Sequence, residues 1–230
     1  RIILGAAPVA PRMPSRAMMS APARTMPLAM AAALWTAAKA RGVEHVVYVS
    51  CAGVATGGDI PAFSSKRVAE EGLAGSGLGY TILRPGLFVQ NFADLARRVE
   101  ANGNVFLPGK PDTLINPIHT RDLALMAMAS LDLPAARNRV LTVGGAETMT
   151  VEQAFQRMCR ANGLPESHWN APPAGLRAVA ALARPLGRRW ANHAKALAVD
   201  YGAASAVDGA EMAATFGIPL TPFEDAARSA

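Results

Sequence analysis

The sequence has few of the residues that build disulfide frameworks, metal sites or membrane spans. Its 230 residues include two cysteines, Cys51 and Cys159, and four histidines. The cysteines lie far apart and form no C-x-x-C pair, which argues against a disulfide framework and a structural zinc site. Uncharged stretches such as Thr25 to Ala38 reach 14 residues, fewer than the roughly 20 that a membrane-spanning helix needs. We therefore expect a cytoplasmic protein with reduced thiols, no metal and no membrane span.

Acidic side chains are missing from residues 1–43, which contain six basic ones, whereas residues 44–230 carry 17 of each sign. The net charge of +6 therefore comes from one end of the chain. Basic residues without interleaved aromatics form no recognised nucleic-acid-binding element, so we expect no nucleic-acid partner. Three interpretations of this Ala-, Met- and Pro-rich front stay open: a transit peptide, an aberrant or truncated segment, and a genuine specialised segment.

Regular patterning begins at residue 34, where apolar runs of strand length alternate with stretches of helical period. This alternation is typical of parallel β/α units and predicts an α/β fold. The predicted strands are Val43–Ser50, Gly79–Gly86 and Asn138–Gly145, with a short extended piece in "LINPIHT". The first predicted helix ends at Ala40. The next three cover Ser64–Ala74, Asn91–Ala101 and Arg121–Leu131, and a fifth runs from Thr150 to Ala161.

Polar residues in front of several helices predict where these helices begin. Thr120 is expected to cap one helix, and Thr150 with Gln153 forms a capping box for the next. Thr221 with Glu224 predicts a similar cap for the last helix.

We divide the chain into three parts on these patterns. Residues 1–33 form the aberrant or flexible front, residues 34–171 a parallel α/β domain, and residues 172–230 a small, mainly helical C-terminal lobe that serves as a cap or substrate lobe. Any strand missing from this sheet would leave edges and apolar faces exposed, so we expect marginal solubility or a homodimer formed across the exposed sheet.

Three motifs carry a resemblance to a known family: "VVYVSCAGV", "SSKRVAEEGL" and "YTILRPGLFVQN". In their order and spacing the chain resembles the atypical short-chain dehydrogenase/reductase superfamily, particularly its NmrA-like NAD(P)-binding members. "INPIHTRDLA" and "RVLTVGGAETMTVEQAF" match the later part of the same pattern. The resemblance implies that residues 34–171 form a Rossmann-like NAD(P)-binding domain whose parallel sheet is incomplete at its N-terminus. It also implies NADP or NAD as cofactor and a small organic molecule as substrate, without choosing between the two dinucleotides.

The resemblance implies that Ser50 and Cys51 lie beside the nicotinamide, at the carboxyl edge of the sheet where such folds bind ligands. Cys51 stands where catalytic relatives often carry a substrate-binding serine, and Ser50 is a catalytic candidate. The alternative is that Ser50 satisfies the strand end and Cys51 packs as a small apolar group. The resemblance also implies that the loop Pro85, Gly86, Leu87 and Phe88 forms an apolar floor for the nicotinamide ring. Asn91 is expected to meet a ligand amide or to cap the next helix.

The family's dehydrogenases use a tyrosine four residues before a lysine that binds the nicotinamide ribose. Lys66 fits the lysine and is a candidate for cofactor binding and catalysis, or otherwise a solvated helix residue. Ala62 stands where the tyrosine belongs, so the acid/base hydroxyl is missing and alcohol/ketone chemistry is in doubt.

The glycine-rich phosphate loop of a dinucleotide site is also missing from the sequence. The nearest candidate follows the apolar start "RIILG", but Pro8 and Pro11 stand in the next two glycine places, where proline removes an amide donor. No Asp or Glu occurs before Glu44 to bind a ribose. Three functions stay open: an NAD(P)-binding oxidoreductase, a non-catalytic NAD(P)-sensing or assembly module, and an inactive truncated product.

Overall fold

The protein is seen in a computed structural model that describes residues 2–5, 28–56, 60–107, 110–170, 175 and 207–230. Short strands and helices alternate along the described chain. In chain order they are β1 (Ile2–Gly5), α1 (Leu28–Ala40), β2 (His45–Val49), α2 (Pro61–Ala74), β3 (Gly79–Pro85), α3 (Val89–Asn102), β4 (Val105–Phe106), β5 (Leu114–Ile115), α4 (Thr120–Ala129), β6 (Arg139–Val143), β7 (Met149–Thr150), α5 (Val151–Ala161), β8 (His168–Trp169), α6 (Gly209–Phe216) and α7 (Phe223–Ser229).

The central sheet contains β1, β2, β3 and β6, in that order, and all three pairings are parallel. This confirms the predicted α/β fold with a Rossmann-like parallel sheet. Two short pairs lie outside it: β4 pairs with β8 in parallel, and β5 pairs with β7 antiparallel. Regular structure begins before residue 34, because β1 belongs to the sheet and α1 starts at Leu28. The division into three parts stays a prediction, because residues 6–27, 171–174 and 176–206 lie outside the described residues.

The strand order places β1 at one end of the described sheet. In a doubly wound dinucleotide-binding sheet, with order 3-2-1-4-5-6, strands 1, 4, 5 and 6 follow one another in one direction. The order β1, β2, β3 and β6 follows one direction in the same way. Pro8 and Pro11 lie outside the described residues, so the missing phosphate loop stays a prediction.

Alternate side chains of β2 and β3 enter two hydrophobic cores, one on each face of the sheet. On one face Tyr48 and Ile82 pack with Trp35 of α1 and Leu73 of α2. On the other face Val47 and Leu83 pack with residues of α4 and α6, including Met126 and Phe216. The strands are therefore buried on both sides, which explains why they read as nearly continuous apolar runs.

The helix caps show where prediction from local sequence succeeds and where it fails. The capping box of Thr150 and Gln153 at α5 is confirmed, with bonds of 3.1 and 2.9 Å. At α4 the prediction is wrong: His119 is the cap, because its Nδ1 accepts from the amide of Arg121, and Thr120 is the first helical residue.

The predicted cap of the last helix is also wrong, because Thr221 binds a different group. Pro222 is the cap residue of α7, while the amide and hydroxyl of Thr221 donate to the buried carboxylate of Asp122, at 2.9 and 2.7 Å. A buried carboxylate needs such donors to offset its lost hydration. The last 24 residues are thereby held against α4, and they share its core through Phe216.

Candidate functional site

The carboxyl ends of β2 and β3 lie side by side and form the candidate site. The amide of Ser50 donates to the carbonyl of Leu83 at 2.8 Å, so the pairing of the two strands continues one residue past Val49. The amide of Gly86 in turn donates to the carbonyl of Val143 in β6, at 3.4 Å. The structure therefore brings the serine-ended strand and the Pro-Gly turn together at one edge of the sheet.

Ser50 is 4% exposed, and its hydroxyl has no hydrogen-bond partner among the described residues. The alternative that its side chain satisfies the strand end therefore finds no support, because the strand-end bond is made by its backbone amide. A buried hydroxyl without a partner costs about 1–3 kcal/mol. Such a group at the carboxyl edge fits a bound ligand that takes this hydrogen bond.

Cys51 is half-buried beside Ser50, directly before a 3₁₀ turn over Ala52–Val54. Burial raises the pKa of its thiol, while the nearby charge of Lys66 acts in the opposite direction. The thiol therefore stays protonated near neutral pH and is a poor nucleophile. This is the behaviour expected of a small packing group.

Lys66 reaches the same edge from α2. Its Nζ donates to the carbonyl of Val49 at 3.2 Å and lies 5.6 Å from the centre of the Tyr48 ring. Burial lowers its pKa, and the negative charge of Glu70 partly offsets this. One N–H of the ammonium group is used by Val49, which leaves donors for a ligand at the strand end. A solvated helix lysine is not what the structure shows, although its predicted role toward ribose stays a prediction.

An ion pair that was not predicted from the sequence lies behind Lys66. Glu70 lies one helical turn further along α2, and its carboxylate accepts two bonds from Arg84 of β3, one of them from Nε at 3.1 Å. The side chains are 6% and 25% exposed. The spacing of Lys66 and Glu70, four residues apart on a helix facing the sheet, is the one signal in the sequence for this cluster.

Tyr48, on the same face of the sheet, does not replace the missing catalytic tyrosine. Burial above all, and then the charge of Glu70, raise its pKa to about 12. The phenol therefore keeps its proton at neutral pH and is a weak acid. Ala62, at the position of the family's tyrosine, lies in the first turn of α2, and it has no group that can transfer a proton.

The loop after β3 is held in place by the segment that follows β5. The amide of Ile118 donates to the carbonyl of Leu87 at 2.9 Å, and the amide of Val89 donates to the carbonyl of Ile118 at 3.1 Å. Leu87 packs against the core formed by α3 and α5, and Phe88 is buried in the core that contains Val47, Leu83 and Met126. Both side chains therefore help to fix the loop. Pro85 and the backbone of Gly86 stay the predicted part of the loop that faces the nicotinamide ring.

The first turn of α3 contains Asn91, which was predicted as a site residue, and Gln90, which was not. Helix α3 begins at Val89 with Phe88 as its cap residue, so Asn91 lies inside the first turn and does not cap the helix. Its neighbour Gln90 has a buried amide oxygen, Oε1, with no partner among the described residues. The sequence around Gln90 gives no local signal for this burial.

Within the described ranges no helix is long and apolar enough to cross a membrane. In the same part of the chain, no three His, Cys, Asp or Glu side chains cluster as metal ligands.

Comparison with known proteins supports the same fold. An NAD(P)H-binding family model matches residues 13–134. The NAD(P)H azoreductase of Xenophilus azovorans is 30% identical over 215 residues, which covers 76% of this chain and 72% of that protein.

Solved structures give the same result at lower identity. The NADPH-dependent quinone oxidoreductase of Escherichia coli, solved with NADPH, is similar with a TM-score of 0.69 at 20% identity, over 87% of this chain and 70% of that one. The triphenylmethane reductase of Citrobacter sp., solved with NADP(H), has a TM-score of 0.66 at 20% identity, over 88% and 70% of the two chains. The fold, the ordered motifs and the matched family model together show that the chain belongs to the NAD(P)H-binding family of Rossmann-like proteins, among its NmrA-like, atypical short-chain dehydrogenase/reductase members.

Proposed function

We propose that the protein is an NAD(P)H-dependent reductase of conjugated organic molecules that accept a hydride. One observation carries the cofactor site: the buried hydroxyl of Ser50, which has no hydrogen-bond partner in the described part of the chain, lies at the strand end whose last carbonyl, that of Val49, binds the ammonium of Lys66. Parallel α/β sheets bind ligands at this edge. The family match supports NAD(P)H as the ligand.

Each residue of the edge has a separate task in this proposal. Lys66 donates to the ribose next to the nicotinamide, and its position is fixed by Val49. The Ser50 hydroxyl donates to the nicotinamide end or to the substrate. Pro85 and Gly86 form one wall, where the missing side chain of glycine allows close approach. The bound dinucleotide would supply a hydride to the substrate.

The absence of an acid/base hydroxyl favours a particular class of substrate. Reducing a simple ketone produces a strongly basic alkoxide, which needs a positioned acid such as the family's tyrosine. A quinone instead accepts the hydride to give a phenolate-type oxygen, which takes its proton from water: quinone, NAD(P)H and one proton give hydroquinone and NAD(P)⁺. The related proteins include an azoreductase, a quinone oxidoreductase and a triphenylmethane reductase, which supports this class.

Replacing Lys66 with alanine tests the site. We expect NADPH to raise the melting temperature of the protein by mass action and Lys66→Ala to weaken the affinity by about 10- to 100-fold, since a charged hydrogen bond contributes about 1.5–3 kcal/mol. The measurement is a thermal-shift titration, with each variant compared with its own unliganded melting temperature. Lys39→Ala is the matched control, because Lys39 is exposed and donates to the carbonyl of Ser76, away from the edge. Equal affinities for Lys66→Ala and the wild type would overturn the placement of the site.

A second candidate function is a non-catalytic module that binds NAD(P) and then changes how the protein associates with a partner. Ala62 favours it, because this residue stands where the family carries its catalytic hydroxyl. Consumption of NADPH in the presence of a soluble quinone separates the two. Turnover with the quinone but none with a simple ketone supports the reductase, whereas binding without any turnover supports the module.

A further inference from the structure

Lys66 carries a positive charge in a place where the nearest ionisable groups do not stabilise it. Its side chain is half-buried, and its ammonium donates to the carbonyl of Val49 and lies over the ring of Tyr48. The phenol of Tyr48 and the thiol of Cys51 are both protonated at neutral pH, because burial raises the pKa of each. Neither group therefore supplies the negative charge that a half-buried ammonium needs.

Glu70 supplies that negative charge from the next turn of α2. Residues four apart on a helix lie on the same face, and the carboxylate of Glu70 acts on the pKa of Lys66 against the effect of burial. Both oxygens of this carboxylate accept from the guanidinium of Arg84 in β3, and the side chain of Glu70 is 6% exposed. The charge is therefore fixed in position, and solvent screens it little.

Two guanidinium groups lie in the same region and oppose the charge of Lys66. Arg84 is the partner of Glu70, and Arg67, next to Lys66 in α2, donates to the carbonyl of Val54 at 2.8 Å. A guanidinium keeps its proton in proteins, whereas a lysine in an unfavourable place loses it. Without the carboxylate of Glu70, the charge of Arg84 would be uncompensated, and Lys66 is the group that would become neutral.

We propose that Glu70 is a positioning residue that keeps Lys66 charged for binding the cofactor. The inference rests on the proposed function, in which Lys66 donates to the ribose. A charge-assisted hydrogen bond is roughly twice as strong as a neutral one, so the cofactor binds more weakly to the neutral amine. Glu70 acts through Lys66 and not by touching the ligand, because both of its oxygens are held by Arg84.

The pH dependence of NADPH binding in Glu70→Gln tests this role. The affinity of the wild type should fall as the pH rises through the pKa of Lys66, since the ammonium is present only below that pKa. Glu70→Gln keeps the shape of the side chain and removes its charge, so the midpoint of the fall should move down by about one pH unit. Between the two midpoints the variant should bind NADPH several-fold more weakly than the wild type, whereas the two should agree near neutral pH. Fluorescence titrations with NADPH from neutral to alkaline pH measure both profiles.

Two further variants keep the test decisive. Glu71→Gln is the matched control, because Glu71 is the exposed neighbour of Glu70 on α2, and its profile should match that of the wild type. Arg84→Met covers the case that Glu70→Gln fails to fold. It removes the guanidinium and leaves the full charge of Glu70 to act on Lys66, so the midpoint should move in the opposite direction, to a higher pH.

A fall that is absent or unmoved in Glu70→Gln, or a loss of affinity that is equal at every pH, overturns the inference while the proposed function stands. A midpoint that stays in place or moves down in Arg84→Met also overturns it. Failure of the wild type to bind NADPH at any pH overturns the proposed function itself.

Discussion

Replacing Arg84 with methionine should lower the free energy of unfolding by about 2–4 kcal/mol, because it leaves the charge of Glu70 without its partner in a buried place. The carboxylate of Glu70 is 6% exposed and accepts two bonds from the guanidinium of Arg84. The estimate lies below that of a fully buried pair, since the side chain of Arg84 is 25% exposed and water reaches it. Urea denaturation of the variant and the wild type measures the difference.

Two controls separate the buried charge from the loss of packing. The double variant Glu70→Leu/Arg84→Met removes both charges and should recover most of the stability, because apolar pairs of similar size replace buried ion pairs with little cost. Arg97→Met breaks the exposed pair of Arg97 and Asp94 and should cost less than about 1 kcal/mol. A double variant as unstable as Arg84→Met would contradict the explanation.

The central strands and the site edge could be predicted because their signals are local. The run from Val43 to Ser50 combines β-branched residues with a following glycine-containing loop, and the next strand ends at Pro85 and Gly86. Burial on both faces of a parallel sheet produces such runs directly. The family resemblance placed Ser50 and the Pro-Gly turn at one ligand-binding edge, where the carboxyl ends of adjacent parallel strands meet.

Features that depend on distant partners could not be predicted from sequence. Thr221 has the pattern of a helix cap, yet its hydroxyl binds Asp122, 99 residues earlier in the chain. Gln90 has no unusual neighbours in the sequence, yet its amide oxygen is buried. The place of β1 in the sheet is likewise set by its pairing with β2, which its own sequence does not show.

Replacing Gly145 with alanine should lower the free energy of unfolding by about 3 kcal/mol, at the upper end of the range for overpacking. A Cβ at this position would lie 2.0 Å from the carbonyl oxygen of Pro117. Gly145 is not among the glycines with a positive φ, so the cost comes from the collision and not from backbone strain. The obstacle is backbone, which moves much less readily than the end of a side chain. Thermal and urea denaturation measure the loss.

The same collision should also weaken cofactor binding, because Pro117 precedes the residue that holds the site loop. Moving Pro117 displaces Ile118, whose backbone bonds fix Leu87 and Val89 on either side of the loop's end. Gly75→Ala is the matched control: Gly75 has a φ of −83° at the end of α2, and its Cβ would lie 3.4 Å from the carbonyl of Glu71. There we expect a change within about 1 kcal/mol and unchanged cofactor affinity. Equal behaviour of the two variants would show that the segment around Pro117 yields to the added methyl group, and that it does not hold the loop rigidly.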